Sequence, residues 1–233
     1  MGITRHIPNA ITSMNLLSGC FATIFALGGN FKTAFLAIIA GAICDFLDGL
    51  AARALKAYSP MGKELDSLAD MVTFGVAPAI IMYRFQAEAN FLIYLPLLIA
   101  VFSGLRLAKF NIDTRQTENF IGLATPSCAL ICGSLIYASQ VYPQVESILI
   151  SYAYIVPMIS LVLCYLLVCE IPMFSFKFKS LKWADNRDRF SFLGIAAALA
   201  IVTLITGLHW SILVLGIFTA YILINVAAAI IKR

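Results

Sequence analysis

The sequence predicts an all-α, polytopic membrane bundle of about eight transmembrane helices with both termini cytoplasmic, on three observations. Of the 233 residues, 61% are hydrophobic and 12% charged, more apolar surface than a soluble domain of this length can bury. The uncharged stretches are long. No Asp, Glu, Lys or Arg occurs from Ser191 to Ile231, and Glu146 alone interrupts Phe120 to Cys169, so each run holds two segments of the ~20 residues a bilayer requires. The basic residues, finally, gather at alternate ends of the apolar segments.

Hydropathy places the spans at 8–28, 31–56, 63–84, 90–111, 121–142, 149–174, 190–207 and 210–231. Each must be a helix, because lipid offers no partner to an unpaired backbone amide. No strand-like alternation supports a β-barrel. The chain is expected to form one integral membrane domain, 1–233, in which 190–231 adds two C-terminal spans. No short apolar core followed by a small-residue cleavage site suggests a separable signal peptide at the start.

An even count puts both termini on one face. The ends sharing that face hold Arg5, Arg53, Lys56, Lys63, Arg106, Lys109, Arg115, Lys177, Lys179, Lys182, Arg187, Arg189, Lys232 and Arg233, 14 of the 16 basic residues. Lys32 and Arg84 occupy the other. Positive ends stay cytoplasmic, so the net charge of +4 is first a topology signal. The same ends attract anionic lipid headgroups. The polar stretch Ser175 to Arg189, with Phe178 and Trp183, reads as a cytoplasmic loop on the headgroups. No nucleic-acid motif occurs in it. The six cysteines all fall inside spans, where they read as small buried hydrophobes.

Charges within spans are costly, about 2.5–3.5 kcal/mol each at a helix centre. Four aspartates nevertheless sit in two adjacent spans. Asp45 and Asp48 are three apart and Asp66 and Asp70 four apart, so each pair shares a helix face. A turn containing Ser59, Pro60 and Gly62 joins the two spans and lets the faces meet near one membrane surface. Four clustered carboxylates repel. Protonation, ion pairs with Arg53 and Lys63, or bound cations would each relieve this, and oxygen donors favour hard divalent ions. Gly49 and Ala52 leave room beside Asp48 for a bulky ligand, and Arg53 is placed to hold a phosphate. Gly49 read alone would sooner serve helix packing, but beside Asp48, Ala52 and Arg53 it reads as room for a ligand.

These positions form the pattern Asp45-x2-Asp48-Gly49-x2-Ala52-Arg53-x8-Gly62-x3-Asp66-x3-Asp70, which resembles, without departure, the signature of the CDP-alcohol phosphotransferase family. The stretches DSLADMVTFGVAPA, RLAKFN and FIGLATP, with the PNAITSMN start and the late IPMFSFK, are similar to the bacterial and archaeal phosphatidylserine synthase branch. The likeness runs from about residue 5 to about 180, a catalytic core; the last two spans share only hydropathy. The resemblance implies that Asp45, Asp48, Asp66 and Asp70 bind two divalent ions, Mg²⁺ or Mn²⁺, with Asp70 also the general base. It implies that Gly49, Ala52, Arg53 and Gly62 hold the CDP moiety, with Asn9 and Thr12 touching the nucleotide. CDP-diacylglycerol and L-serine would be the substrates, the lipid tails lying in the cell membrane, and the protein would form a homodimer with its active site at the cytoplasmic side.

The acceptor is less constrained by spacing. A serine carboxylate calls for a cation, and Arg106, Lys109 and Arg115 lie near the end of the fourth span, where positive-inside anchoring explains them equally well. Thr125 and Ser127 either line the site or cap a helix. Glycerol phosphate, inositol phosphate or choline would be alternative acceptors. A cation transporter would instead spread its acids through the membrane depth and show paired repeats; here the acids gather at one depth.

Overall fold

The structure is a computed structural model that describes residues 6–86, 90–113, 115, 120–175 and 186–231. It is a helical bundle with one two-residue strand pair. In chain order come α1 (Ile7–Leu27), α2 (Phe31–Ala54), α3 (Pro60–Asp70), a π-helical stretch (Met71–Val76), α4 (Ala77–Phe85), a 3₁₀ turn (Phe91–Leu97) and α5 (Leu98–Ile112). Then follow β1 (Phe120–Ile121), α6 (Thr125–Ser139), α7 (Pro143–Ser151), α8 (Ile155–Val168), β2 (Pro172–Met173), α9 (Arg187–Thr206) and α10 (Trp210–Ile231).

Local chemistry sets the helix starts. The Asn30 side chain accepts from the Thr33 amide at 3.2 Å and caps α2. Ser59 caps α3 by accepting from Gly62 N at 2.9 Å, with Pro60 in the first turn where no amide is needed. The third span therefore starts before residue 63, and α3, the π stretch and α4 run on as one apolar segment of 26 residues. The α9–α10 turn ends on Gly207 at φ 65°, the left-handed conformation glycine tolerates.

Among the described residues six helical segments are long and apolar enough to cross a bilayer, and they match the expected spans one to four, seven and eight within a few residues. Spans five and six differ from expectation. The fifth is reduced to α6, whose 15 residues rise about 22 Å against a hydrocarbon core of about 30 Å. Its expected first residues are instead extended in β1. The sixth is broken at Tyr152–Tyr154, where α7 and α8 meet at 87°; counted as one span they bring the total to seven. Hydropathy sums over a window and is blind to such a bend. The charge count that predicts cytoplasmic termini also draws on Arg5, Lys177, Lys179, Lys182, Lys232 and Arg233, all outside the described residues, as are Phe178 and Trp183.

The core runs between α1, α2, the π stretch, α4 and α6, through Ala22, Phe35, Ile38, Phe74, Ile81, Met82 and Ile136. Thr73 pins its centre. Its hydroxyl donates to the Asn15 carbonyl at 2.9 Å. A Cβ at Gly19 would stand 2.7 Å from the Thr73 Cα, and one at Gly41 would press on the same side chain, so both glycines are there for close approach. Cys128, Cys132, Cys164 and Cys169 are buried as expected, whereas Cys20 is exposed and Cys44 half-buried; all six are free thiols. Outward faces carry Phe46, Val101, Leu204 and Ile205, side chains suited to lipid.

Candidate active site

The hairpin of α2 and α3 brings the carboxylates together. One oxygen each from Asp45, Asp48 and Asp66 lies within 4.8 Å of the others. Asp45 and Asp66 are within hydrogen-bonding reach of each other, a separation that two bare carboxylates do not tolerate without a proton or cation between them. Asp48 sits against the Gly49 amide and the Thr12 hydroxyl. That hydroxyl has one proton and here donates it to the Pro8 carbonyl at 3.0 Å.

Asp70, one turn beyond Asp66, stands beside this trio rather than in it. Asn15 on α1 donates its Nδ2 to Asp70 Oδ1 at 3.2 Å, and Asp45, Asp66 and Arg106 lie within electrostatic reach. The π-helical stretch starts at the next residue. A π insertion offsets the helix register, a feature common at functional sites. Asp70 and Thr73, on either side of its start, both bond to Asn15 of α1, the first through its side chain and the second through its carbonyl.

The residues present fit hard divalent cations. Asp48 Oδ2 and Asp66 Oδ1 are buried without a hydrogen-bond partner, and a buried acceptor left alone is costly. The donor set is all carboxylate oxygen, the chemistry of Mg²⁺, Mn²⁺ or Ca²⁺ sites. The ion-pair alternative fails. Among the described residues no ion pair joins the four aspartates to Arg53 or Lys63, and Lys63 Nζ donates to the Asn111 carbonyl at 3.1 Å.

A cavity of about 230 Å³ opens beside the trio, lined by Asn9, Thr12, Asp48, Gly49, Ala52, Arg53, Gly62 and Asp66, with Pro8, Ala57, Tyr58, Ser59 and Lys63 completing the wall. Every position expected to hold the nucleotide is on that wall. The two glycines differ in role. A Cβ at Gly62 would lie 3.0 Å from Asn9 Oδ1 and from Ser59 Oγ, so glycine lets the start of α3 approach α1. A Cβ at Gly49 would meet only the Arg53 guanidinium, at 3.6 Å. Packing does not require glycine there; the small side chain keeps the cavity open. A larger hollow of about 620 Å³ lies elsewhere, between residues 170–174 and α10, and none of the four aspartates lines it.

The four residues considered for the acceptor separate into two pairs. Arg106 on α5 is buried, with its guanidinium carbon 5.1 Å from the Phe110 ring centre and 5.9 Å from that of Phe120. Its Nε has no hydrogen-bond partner. Thr125 is fully buried with its hydroxyl unpartnered, and α6 has no side-chain cap, so the capping role is excluded for Thr125. Lys109 and Arg115 are at the surface, holding Glu170 at 3.4 and 3.7 Å, with Arg115 also on Asp113 at 2.9 Å. Sequence reasoning missed Asn15, Tyr58 and Lys63 as parts of the site. Asn15 had a signal: it is a polar residue in an apolar span, one turn from Thr12.

Comparison with known proteins agrees with this geometry. A CDP-alcohol phosphatidyltransferase family model matches residues 5–168, which leaves α9 and α10 outside the match. A CDP-diacylglycerol–serine O-phosphatidyltransferase of Bacillus subtilis is 43% identical over 124 residues, covering 52% of this chain and 70% of that protein. A Helicobacter pylori protein of the same name is 37% identical over 53% of this chain and 54% of its own length, so the chain spans about half of that relative. An archaetidylserine synthase of Methanothermobacter thermautotrophicus is 32% identical over 66% of this chain and 67% of its own. Family match, carboxylate geometry and cavity lining coincide on the same residues, and the chain belongs to the CDP-alcohol phosphatidyltransferase family.

Proposed function

We propose that this protein transfers the phosphatidyl group of CDP-diacylglycerol to L-serine, giving phosphatidylserine and CMP. The observation that carries the reading is the pairing of a carboxylate-lined cavity with a buried guanidinium, Arg106, within electrostatic reach of Asp70. The names of the relatives support the acceptor.

Asn9, Thr12, Gly49, Ala52, Arg53 and Gly62 hold the CDP moiety, with Arg53 offering charge-assisted hydrogen bonds to a phosphate. Asp45, Asp48, Asp66 and Asp70 hold two divalent ions, Mg²⁺ or Mn²⁺. Bound there, the ions would neutralise the diphosphate and the charge that develops on departing CMP. Asp70 accepts the proton of the serine hydroxyl as the new serine O–P bond forms and the bond to the CMP oxygen breaks. Asn15 fixes one Asp70 oxygen and leaves the other for that proton. Arg106 takes the serine carboxylate and Thr125 offers a hydroxyl to its polar end. Lys109 and Arg115 anchor the surface. The diacyl tails lie in the cell membrane beside the outward apolar faces, the headgroup chemistry occupies the cytoplasmic side, and the protein works as a homodimer.

Purified protein supplied with CDP-diacylglycerol and Mg²⁺ or Mn²⁺ tests this. CMP release should depend on L-serine and stop with EDTA. Release with glycerol 3-phosphate, inositol phosphate or choline, and not with serine, would reassign the acceptor. Release from an ether-lipid donor alone would move the chain toward its archaeal relative's lipid class.

A further inference from the structure

The family match ends at Val168, yet hydrogen bonds lead from α10 to the acceptor side of the site. We infer that α10 is a positioning element of the acceptor pocket: Tyr221 and Asn225 hold the strap Ile171–Ser175, and through it Phe120, so that Arg106 stays aimed across from Asp70. The inference deepens the function proposed above and rests on it for the identity of the acceptor.

The links can be followed atom by atom. Asn225 is buried in an otherwise apolar helix, where a polar side chain needs a reason. Its Oδ1 accepts from the Phe174 amide at 2.8 Å, and its Nδ2 donates to the Tyr221 carbonyl at 2.7 Å. The Tyr221 hydroxyl donates to the Phe174 carbonyl at 2.9 Å. Both backbone polar groups of Phe174 are thus bound by α10. The Phe174 and Tyr221 rings pack edge to face at 5.0 Å, and Phe192 of α9 closes the trio.

From Phe174 the strap enters β2, which pairs antiparallel with β1, Met173 opposite Phe120. Gly122 N donates to the Ile171 carbonyl at 2.9 Å and Leu123 N to the Leu166 carbonyl at 2.7 Å. Gly122 has φ 77°, and a Cβ on it would lie 2.8 Å from the Leu167 carbonyl oxygen, so the segment just after β1 sits tight against the end of α8. Phe120 then presents its ring to the Arg106 guanidinium, and Tyr221 itself lies within electrostatic reach of Arg106.

This arrangement answers a specific need. Arg106 is buried with no carboxylate within 4 Å among the described residues. Aromatic faces steady a guanidinium without neutralising it. Its charge therefore remains available to an anionic group on the incoming alcohol. The donor cavity is walled by α1, α2, α3 and the α2–α3 turn, none of which the strap touches through these links.

The test is steady-state kinetics on the full chain with Tyr221→Phe and Asn225→Ala, varying acceptor and donor separately. Tyr221→Phe, which loses one hydrogen bond, should raise the acceptor KM by about three- to tenfold, and Asn225→Ala, which loses two, by at least as much, with the donor KM within twofold of wild type in both. Hydrogen–deuterium exchange should quicken at the amides of 120–123, Ile171, Met173 and Phe174 and stay unchanged in α1–α3. Tyr221→Phe keeps the packing and serves if Asn225→Ala does not fold. Equal rises in both KM values, a fall in kcat alone, or unchanged kinetics and exchange would overturn the inference. Wild-type protein that ignores L-serine would overturn the acceptor assignment instead. The KM comparison is then run with the alcohol it does use, and the exchange result stands without turnover.

Discussion

The donor cavity wall comes from positions between Pro8 and Asp66, in two neighbouring helices, their connecting turn and the start of a third. Arg106, within electrostatic reach of Asp70, comes instead from α5 and is faced by Phe120 of β1, whose partner strand is held by α10. The first region is local and periodic: helix geometry alone puts Asp45 beside Asp48 and Asp66 beside Asp70. The second is assembled from long-range backbone pairing. On the proposed function, the donor half is the one that spacing in the sequence can specify, and the acceptor half depends on the folded chain.

The largest expected effect lies on the boundary between the two regions. Asp70→Asn should lower kcat by about 10²–10⁴-fold, the usual worth of a positioned general base, with only a smaller rise in donor KM from the weakened ion site. Loss of donor binding in the same variant would make Asp70 chiefly a ligand of the donor half. Next comes Arg106→Lys, which keeps the charge but loses the planar fork and its stacking on Phe110 and Phe120. It should raise the acceptor KM about tenfold or more, with the donor KM unchanged in steady-state assays.

Two glycines sharpen the donor half. Gly19→Ala drives a methyl into Thr73 and should cost about 1–3 kcal/mol in denaturant or thermal unfolding. Gly49→Ala makes only van der Waals contact with the Arg53 guanidinium and gains helix propensity, so the melting temperature should hold or rise while the donor KM rises. If Gly49→Ala also destabilised the fold, its small size would be a packing requirement. The smallest effect belongs to Lys109→Ala. Its partner Glu170 is largely exposed, so stability should change by about 1 kcal/mol or less, and both KM values should hold.

Much of this was legible in the sequence, for reasons that differ by region. A bilayer forces long helices, so most spans could be placed within a few residues. The bend at Tyr152–Tyr154 and the shortness of α6 were not, because hydropathy records apolarity and not direction. The carboxylate face was legible because 3.6-residue periodicity converts spacing into proximity. Arg106 and Lys109, three apart and alike in sequence, were indistinguishable until Phe120 was seen over one and Glu170 beside the other. Nothing in the spacing of Asn225 announces that it binds the Phe174 amide 51 residues earlier.

Transfer of labelled L-serine reads directly whether serine becomes lipid at this site. Purified protein with CDP-diacylglycerol and Mn²⁺ or Mg²⁺ should place the label in the organic-extractable fraction, one equivalent per CMP released, and EDTA should abolish both. CMP released without labelled lipid would contradict the account.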